Sequence, residues 1–233
     1  MNKKVLVIDA DDTLWKTQER YEEAKRRFAK IINGSLNEED VIKFADELDL
    51  KRGMEFGYQR TRFIESLVLT YAILHSKDFD PKKEREIKDL ENFVFDKVEL
   101  FPDTIHFLNF AKNKFILVLF TAGDYEIQQK RIEDYPELRK YFQHIFIIEK
   151  KSVETARNTY EEYLKSYVSS PEQVISIGNS VRSDIIPWLE IGAKAILIQR
   201  LSWEFENMID GVAASQYTVC DSLLEAEKVL NFW

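Results

Sequence analysis

Short apolar runs recur along the chain and lack the alternation of apolar and polar residues that marks a half-buried strand. They lie at 5–8, 115–120, 145–148, 174–177 and 195–198. Continuous runs of this length are typical of strands that are buried on both faces of a parallel sheet. We therefore predict that these five segments are strands of such a sheet.

Amphipathic helical patterns lie between the runs. Ile105, Leu108 and Ala111 recur at helical spacing after Pro102 and Asp103, which are start signals for a helix. A second pattern is formed by Val153, Ala156, Tyr160 and Leu164. An alternation of strands and helices predicts an α/β fold with right-handed crossover connections.

The segment 16–98 breaks this alternation. It contains four amphipathic stripes with no apolar run between them, and the fourth begins at Asp80-Pro81, an N-cap residue followed by proline. Four consecutive helices predict a helical lobe inserted after the first strand. The predicted domains are therefore a core formed by residues 1–15 and 99–233, and a lobe formed by residues 16–98.

Composition narrows the class of protein. Hydrophobic residues make up 45% of the 233 residues, enough for a packed core, and the net charge is −8, which argues against a nucleic-acid-binding protein. The single cysteine, Cys220, allows no internal disulfide.

The N-terminal apolar run is too short for a signal peptide, and no run could span a membrane. We expect a cytoplasmic protein that binds neither nucleic acid nor a membrane.

Short segments that contain polar side chains follow four of the predicted strands. In chain order they are Asp9 and Asp11; Thr121, Ala122 and Gly123; Glu149, Lys150 and Lys151; and Gly178, Asn179, Ser180 and Asp184. Because the carboxyl ends of parallel strands share one edge of the sheet, we expect these residues to meet there. The set suits phosphoryl transfer: a carboxylate attacks phosphorus, a second carboxylate moves a proton, and Mg²⁺, lysine and hydroxyl groups offset negative charge.

The same residues resemble the motifs of the haloacid dehalogenase superfamily. Its Asp-x-Asp-x-Thr motif matches 9–13 (DADDT), its strand-terminal Thr or Ser matches Thr121, and its helix-opening Lys matches Lys151, with Lys150 as the alternative. Its acidic fourth motif is similar to 178–184 (GNSVRSD). The resemblance implies a Rossmann-like parallel sheet with helices on both faces and a helical-bundle cap domain inserted in it.

The resemblance also implies a role for each matched residue. Asp9 would be the nucleophile, Asp11 the general acid and base, and Thr121, Ala122 and Lys151 would bind the phosphate. Magnesium would be held by Asp9, the Asp11 backbone carbonyl and Asp184, with Asn179 in the metal shell. Asn179 stands where the family usually has Asp, so this position brings no charge. Asp12 has no implied chemistry and is predicted to be a turn residue.

The resulting hypothesis is a magnesium-dependent phosphatase that acts on a small phosphorylated metabolite through an aspartyl phosphate. A phosphomutase or phosphotransferase, which hands the phosphoryl group to another acceptor, stays open, as does a non-catalytic phosphate-binding relative. A dehalogenase is disfavoured because the resemblance implies that dehalogenases lack the second aspartate. A receiver domain is disfavoured by the chain length and by Glu149 after the third strand.

The segment 51–60 (KRGMEFGYQR) is a candidate specificity loop between the second and third helices of the lobe. Gly53 and Gly57 would give it flexibility, and Tyr58 and Arg60 could contact substrate. A plain interhelical turn is an equally good interpretation, because connections of this length are common between helices.

Overall fold

The computed structural model describes residues 3–32, 36–56, 61–201 and 214–233. Within these residues the strands are β1 (Lys4–Ile8), β2 (Trp15–Lys16), β3 (Glu99–Leu100), β4 (Phe115–Ala122), β5 (His144–Ile148), β6 (Val174–Gly178), β7 (Lys194–Ile198) and β8 (Thr218–Cys220). The α-helices are α1 (Gln18–Ile32), α2 (Glu38–Phe56), α3 (Arg62–Leu74), α4 (Pro81–Val94), α5 (Thr104–Lys114), α6 (Tyr125–Glu133), α7 (Pro136–Arg139), α8 (Val153–Glu162), α9 (Ile186–Leu189) and α10 (Leu223–Leu230).

Six of the strands form one parallel sheet in the order β5-β4-β1-β6-β7-β8. The chain builds outward from β1 through β4 to β5, and then returns to add β6 on the other side of β1. The reversal of direction creates a switch point beside β1, where the carboxyl ends of neighbouring strands diverge and ligands bind in open α/β sheets. The predicted α/β class with a Rossmann-like sheet is confirmed.

All five predicted strands are present, and their observed bounds are wider. The largest difference is in β4, which includes Thr121 and Ala122, whereas the sequence pattern ended the strand at Phe120. Pairing with β5 explains the extension, because Thr121 and Ala122 continue the register opposite Ile147 and Ile148. The short strands β2, β3 and β8 were not predicted, because two or three residues carry too little periodicity to be recognised.

The sheet is buried on both faces, as the continuous apolar runs predicted. Val5 and Val7 of β1 point to one face and pack in a cluster with residues that include Tyr160 of α8 and Trp188 of α9. Leu6 and Ile8 alternate to the other face and are fully buried. Burial of β1 on both sides explains why its sequence lacks polar residues between Val5 and Ile8.

The chain divides into two compact units, Met1–Lys16 with Glu99–Trp233, and Thr17–Val98. The second unit contains α1 to α4, with no strand among its described residues. Its core is formed by the apolar stripes, with Phe28, Leu67, Tyr71 and Ile87 buried at the centre. Asp80 caps α4 as predicted, and its side chain accepts a hydrogen bond from the Lys82 N–H at 2.8 Å.

The structure corrects the prediction for residues 51–60. Helix α2 continues through Phe56, so Gly53 lies inside a helix rather than in a flexible loop. The sequence signal was misleading because a single glycine weakens a helix by only about 1 kcal/mol, which neighbouring residues can offset. Gly57, Tyr58 and Arg60 lie outside the described residues, so the proposed specificity contacts stay a prediction.

Membrane insertion was not expected from the sequence. In the part of the chain that the structure describes, no helix combines the length and the apolar character needed to cross a bilayer.

Candidate active site

The segment after β1 folds into a tight turn that carries Asp9 and Asp11. The backbone carbonyl of Ala10 accepts the N–H of Leu14 at 2.8 Å, and the Asp12 N–H donates to the Trp15 carbonyl at 2.7 Å. Asp12 has a φ of 56°, in the left-handed region that aspartate tolerates better than most residues. Asp12 is therefore the turn residue that the sequence predicted.

Asp9 lies at the carboxyl end of β1 in a buried polar cluster. The Thr13 hydroxyl donates to Asp9 Oδ2 at 2.9 Å, and the same hydroxyl lies 3.3 Å from Asn179 Oδ1. Lys151 donates to Asp9 Oδ1 and, at 2.6 Å, to Asp184 Oδ1. Residues from the ends of β1 and β6 and from the start of α8 are thus joined by one hydrogen-bond network.

The charges in this cluster do not balance. Two carboxylates, Asp9 and Asp184, face one ammonium group, Lys151, and all three side chains are buried. Burial raises the pKa of Asp9, Asp184 raises it further, and Lys151 opposes both, so that the pKa changes from 3.8 to about 8. Burial alone would lower the pKa of Lys151, but Asp184 and Asp9 outweigh burial and hold it above its ordinary range.

Asp184 is positioned by the segment that follows β6. The Ser180 N–H donates to Asp184 Oδ2 at 3.0 Å, and the Ser176 hydroxyl donates to the Asp184 backbone carbonyl at 2.7 Å. Asp184 lies in a π-helical turn, Val181–Ile185, whose N-cap is Ser180. Turns of this type are frequent at functional sites, because they shift the side chains that follow.

Lys151 rather than Lys150 belongs to the cluster. Ser152 is the N-cap of α8 and forms a capping box with Thr155, which places Lys151 immediately before the helix. The Lys151 side chain is buried between two carboxylates, whereas Lys150 is exposed. The structure therefore supports the first of the two lysines considered from the sequence.

Thr121 lies inside β4, and its side chain is fully buried. Its hydroxyl has no hydrogen-bond partner among the described residues. A buried hydroxyl without a partner is costly and needs an explanation, such as a ligand or a water molecule that completes it. Ala122 ends the strand, and its carbonyl accepts a hydrogen bond from Gln128 Nε2 at 3.1 Å.

Asp11 is held by a separate set of donors, which we call the Asp11 clamp: Trp15, Gln128 and Arg131. Trp15 Nε1 donates to Oδ1 at 2.5 Å, Gln128 Nε2 donates to Oδ2 at 2.7 Å, and Arg131 Nη1 lies 2.8 and 2.7 Å from the two oxygens. None of the three residues was predicted from the sequence to belong to the site. The pattern of α6 could have indicated two of them, because Gln128 and Arg131 lie three positions apart and share a helix face with buried apolar residues. Polar residues on a buried helix face need a polar partner.

The candidate metal ligands are hard oxygen donors, the type that magnesium prefers. Among the described residues no group of three or more His, Cys, Asp or Glu side chains could hold a metal. A cation between Asp9 and Asp184 would therefore also need the Asn179 amide oxygen and the Asp11 backbone carbonyl. The excess of buried negative charge fits a divalent cation, because Lys151 neutralises only one of the two carboxylates.

Similar proteins share the fold over nearly the whole chain. A haloacid dehalogenase-like family hydrolase from Xanthomonas campestris has a TM-score of 0.81 and 22% identity, with 100% of this chain and 96% of that chain covered. The HAD-hydrolase YfnB from Bacillus subtilis, bound to magnesium, has a TM-score of 0.69 and 19% identity, with 99% and 100% covered. L-2-haloacid dehalogenase from Xanthobacter autotrophicus has a TM-score of 0.60 and 14% identity, with 99% of each covered.

These structures establish the fold but not the substrate, because phosphatases and dehalogenases both occur among them. No curated protein sequence matches the chain. The family model of the haloacid dehalogenase-like hydrolases matches residues 3–188, which include every residue of the site described above. The chain therefore belongs to the haloacid dehalogenase-like hydrolases.

Proposed function

We propose that the protein is a magnesium-dependent phosphatase that hydrolyses a small phosphorylated metabolite through a phosphoryl group held on Asp9. The observation that carries this proposal is the presence of two carboxylates with different surroundings at one strand end. Asp9 bonds to Lys151 and Thr13, whereas Asp11 bonds to the Asp11 clamp. Two carboxylates in distinct environments can take distinct roles, one as nucleophile and one in proton transfer.

In the first step an Asp9 carboxylate oxygen attacks phosphorus, and the bond between phosphorus and the leaving oxygen breaks. Asp11 gives the leaving oxygen a proton, so that an alcohol departs instead of an alkoxide. Lys151 and the Thr121 hydroxyl hold the phosphoryl oxygens. The unpartnered Thr121 hydroxyl supports this assignment, because a phosphate oxygen would complete its hydrogen bonding.

In the second step water attacks the phosphoryl group on Asp9. Asp11, now ionised, takes the proton from the water, and inorganic phosphate leaves with Asp9 restored. Magnesium, held by Asp9, Asp184, Asn179 and the Asp11 backbone carbonyl, would supply positive charge that offsets the phosphate and the buried carboxylates. The pKa of Asp9 is raised to about 8, so without added positive charge the carboxyl group is largely protonated at neutral pH. A nucleophilic carboxylate has to be ionised, which supports a requirement for such charge.

Phosphotransfer to a second substrate uses the same residues, so a phosphomutase differs only in the acceptor of the second step. A dehalogenase uses the nucleophile without an acid, and one observation favours it: the Lys151 ammonium group bridges Asp9 and Asp184 directly. The Asp11 carboxylate argues against it, because a halide ion leaves without a proton. We therefore rank the phosphatase first.

The test is a panel of phosphorylated metabolites and p-nitrophenyl phosphate, assayed with magnesium and with a chelator. We expect phosphate release that depends on magnesium and is abolished in Asp9→Asn. A 2-haloacid assayed for halide release is the competing substrate. Halide release without phosphate release would overturn the proposal, and so would phosphatase activity that survives Asp9→Asn.

A further inference from the structure

The hydrogen bonds around Asp11 engage both oxygens of its carboxylate. Oδ1 accepts from Trp15 Nε1 and Arg131 Nη1, and Oδ2 accepts from Gln128 Nε2 and Arg131 Nη1. The donors approach from two directions, since Trp15 lies in β2 and the other two residues lie in α6. An aspartate side chain bonded on both oxygens from two elements has one rotamer available to it.

The donors themselves are fixed by burial. Arg131 is 4% exposed, Gln128 is 2% exposed and Trp15 is 1% exposed. A buried guanidinium costs several kcal/mol unless it is paired, so an arginine on the inner face of α6 needs a partner such as Asp11. If packing were the only requirement at position 131, an apolar side chain would meet it. Packing therefore does not explain why this residue is an arginine.

Gln128 also connects Asp11 to the end of β4. Its Nε2 donates to the Ala122 carbonyl at 3.1 Å as well as to Asp11. The next residue, Gly123, has a φ of 134°, and a Cβ there would lie 3.3 Å from Gln128 Nε2. The backbone at Gly123 therefore gives the glutamine room to reach both the Ala122 carbonyl and Asp11.

We propose that Gln128 and Arg131 are positioning residues that set the Asp11 carboxylate in the orientation needed for proton transfer to the leaving group. This inference rests on the proposed phosphatase function. Both residues bond to the Asp11 carboxylate, and we assign their effect on the reaction to this contact. A displacement of about 1 Å in a reacting group can cost about 100-fold in rate.

The proposal predicts a dependence on the leaving group. Phenol is a weaker acid than p-nitrophenol, so its departure from phenyl phosphate gains more from a proton supplied by Asp11. Misplacement of Asp11 should therefore slow phenyl phosphate hydrolysis more than p-nitrophenyl phosphate hydrolysis. A general loss of folding or of phosphate binding would slow both reactions equally, because the two substrates present the same phosphoryl group.

The experiment compares kcat and KM for both substrates in the wild type, Gln128→Ala and Arg131→Met, with thermal unfolding of each. We expect kcat/KM, which reports the first step and not the shared second step, to fall about 10- to 100-fold for phenyl phosphate and less than about 3-fold for p-nitrophenyl phosphate. Arg131→Lys should recover part of the loss, because lysine retains the charge but not the fixed geometry of the guanidinium.

Gln129→Ala is the matched control, because Gln129 lies on the exposed side of the same helix and bonds Glu133. It should leave both rates unchanged. In an Asp11→Asn background the clamp substitutions should add no further leaving-group dependence. Equal losses in kcat/KM on both substrates, or no loss in the folded Gln128→Ala variant, would overturn the inference. A wild type that hydrolyses neither substrate would instead overturn the proposed function.

Discussion

A Cβ atom added to Gly178 would lie 2.2 Å from Oδ2 of Asp184. No real Cβ contact is this short, so the last residue of β6 has to be glycine for the Asp184 carboxylate to occupy its place. Asp184 contacts Lys151 through its other oxygen. The absence of a side chain at Gly178 therefore allows the Asp184 carboxylate to reach the cluster at the carboxyl edge of the sheet.

We expect Gly178→Ala to be destabilising and nearly inactive. The added methyl group forces Asp184 or β6 to move, and overpacking of a buried site costs about 1 to 3 kcal/mol. Urea denaturation measures the loss in the free energy of unfolding, and phosphate release measures the activity. Wild-type stability together with wild-type activity would show that the chain accommodates the methyl group without moving the carboxylate.

Removal of the positive charge at Lys151 should destabilise the fold. Lys151→Met leaves Asp9 and Asp184 buried without their ammonium partner, and breaking a buried ion pair by removing one partner costs about 3 to 5 kcal/mol. Urea denaturation at pH 7 measures this loss.

Lys150→Met is the matched control for this change. Lys150 is the adjacent lysine and is exposed, so its loss should alter the free energy of unfolding by less than about 0.5 kcal/mol. Similar effects of the two substitutions would contradict the assignment of Lys151 to the cluster. Magnesium should recover part of the stability of Lys151→Met, because the uncompensated carboxylates attract a cation.

The raised pKa of Asp9 predicts a pH dependence of stability. A carboxyl group that binds its proton more tightly in the folded chain than in the unfolded chain stabilises the fold at low pH. Its contribution is lost as the pH rises from the unfolded value, 3.8, to the folded value of about 8. Without divalent cations, the contribution of Asp9 to the free energy of unfolding should therefore fall by at most about 1.4 kcal/mol per pH unit.

Urea denaturation between pH 4 and pH 8 in a chelating buffer measures this term as the difference between the wild type and Asp9→Asn. As the pH rises, the free energy of unfolding of the wild type should fall relative to that of Asp9→Asn. Parallel curves for the two proteins would contradict the raised pKa. Added magnesium should reduce the difference in slope, because a bound cation favours the ionised form of Asp9.

The Thr121 hydroxyl should matter for phosphate binding more than for folding. It is buried and has no partner among the described residues, so Thr121→Val removes no hydrogen bond within them. We expect unchanged or higher thermal stability and a loss of about 10- to 100-fold in kcat/KM, the effect of one hydrogen bond to a charged group. Calorimetric titration with inorganic phosphate should show weaker binding.

Thr104→Val is the control for this substitution. The Thr104 hydroxyl is also fully buried, but it donates to the Leu14 carbonyl at 2.6 Å. Its removal should therefore lower the free energy of unfolding by about 1 kcal/mol and leave phosphate affinity unchanged. The opposite pattern, with Thr121→Val losing stability and retaining phosphate binding, would assign the Thr121 hydroxyl a structural role.

The local features of this fold were readable from the sequence because each depends on residues close together in the chain. The apolar run 5–8 predicted a strand buried on both faces, and Asp80 is the predicted N-cap, with a side chain that accepts a backbone hydrogen bond. The candidate site followed from the same logic, since the carboxyl ends of parallel strands share an edge. Lys151 was proposed from its resemblance to a family motif, with Lys150 as the alternative.

Tertiary structure decided the features that depend on distant pairing. Helix α2 runs through Gly53 to Phe56, although the glycines suggested a loop, and β4 extends to Ala122 because β5 supplies its partners. The close approach of Asp184 to Gly178 depends on a π-helical turn that no local propensity predicts.

The Asp11 clamp shows the difference between the two kinds of information most clearly. Asp11 follows Asp9 by two residues, and the sequence alone placed both at the end of a buried strand. This was possible because the apolar run that predicts the strand is a local feature. Arg131 and Gln128 lie 120 and 117 residues farther along the chain. Only the packing of α6 in the fold brings them to Asp11, because a buried charge is paired by whichever element reaches it in three dimensions, whatever the separation in sequence.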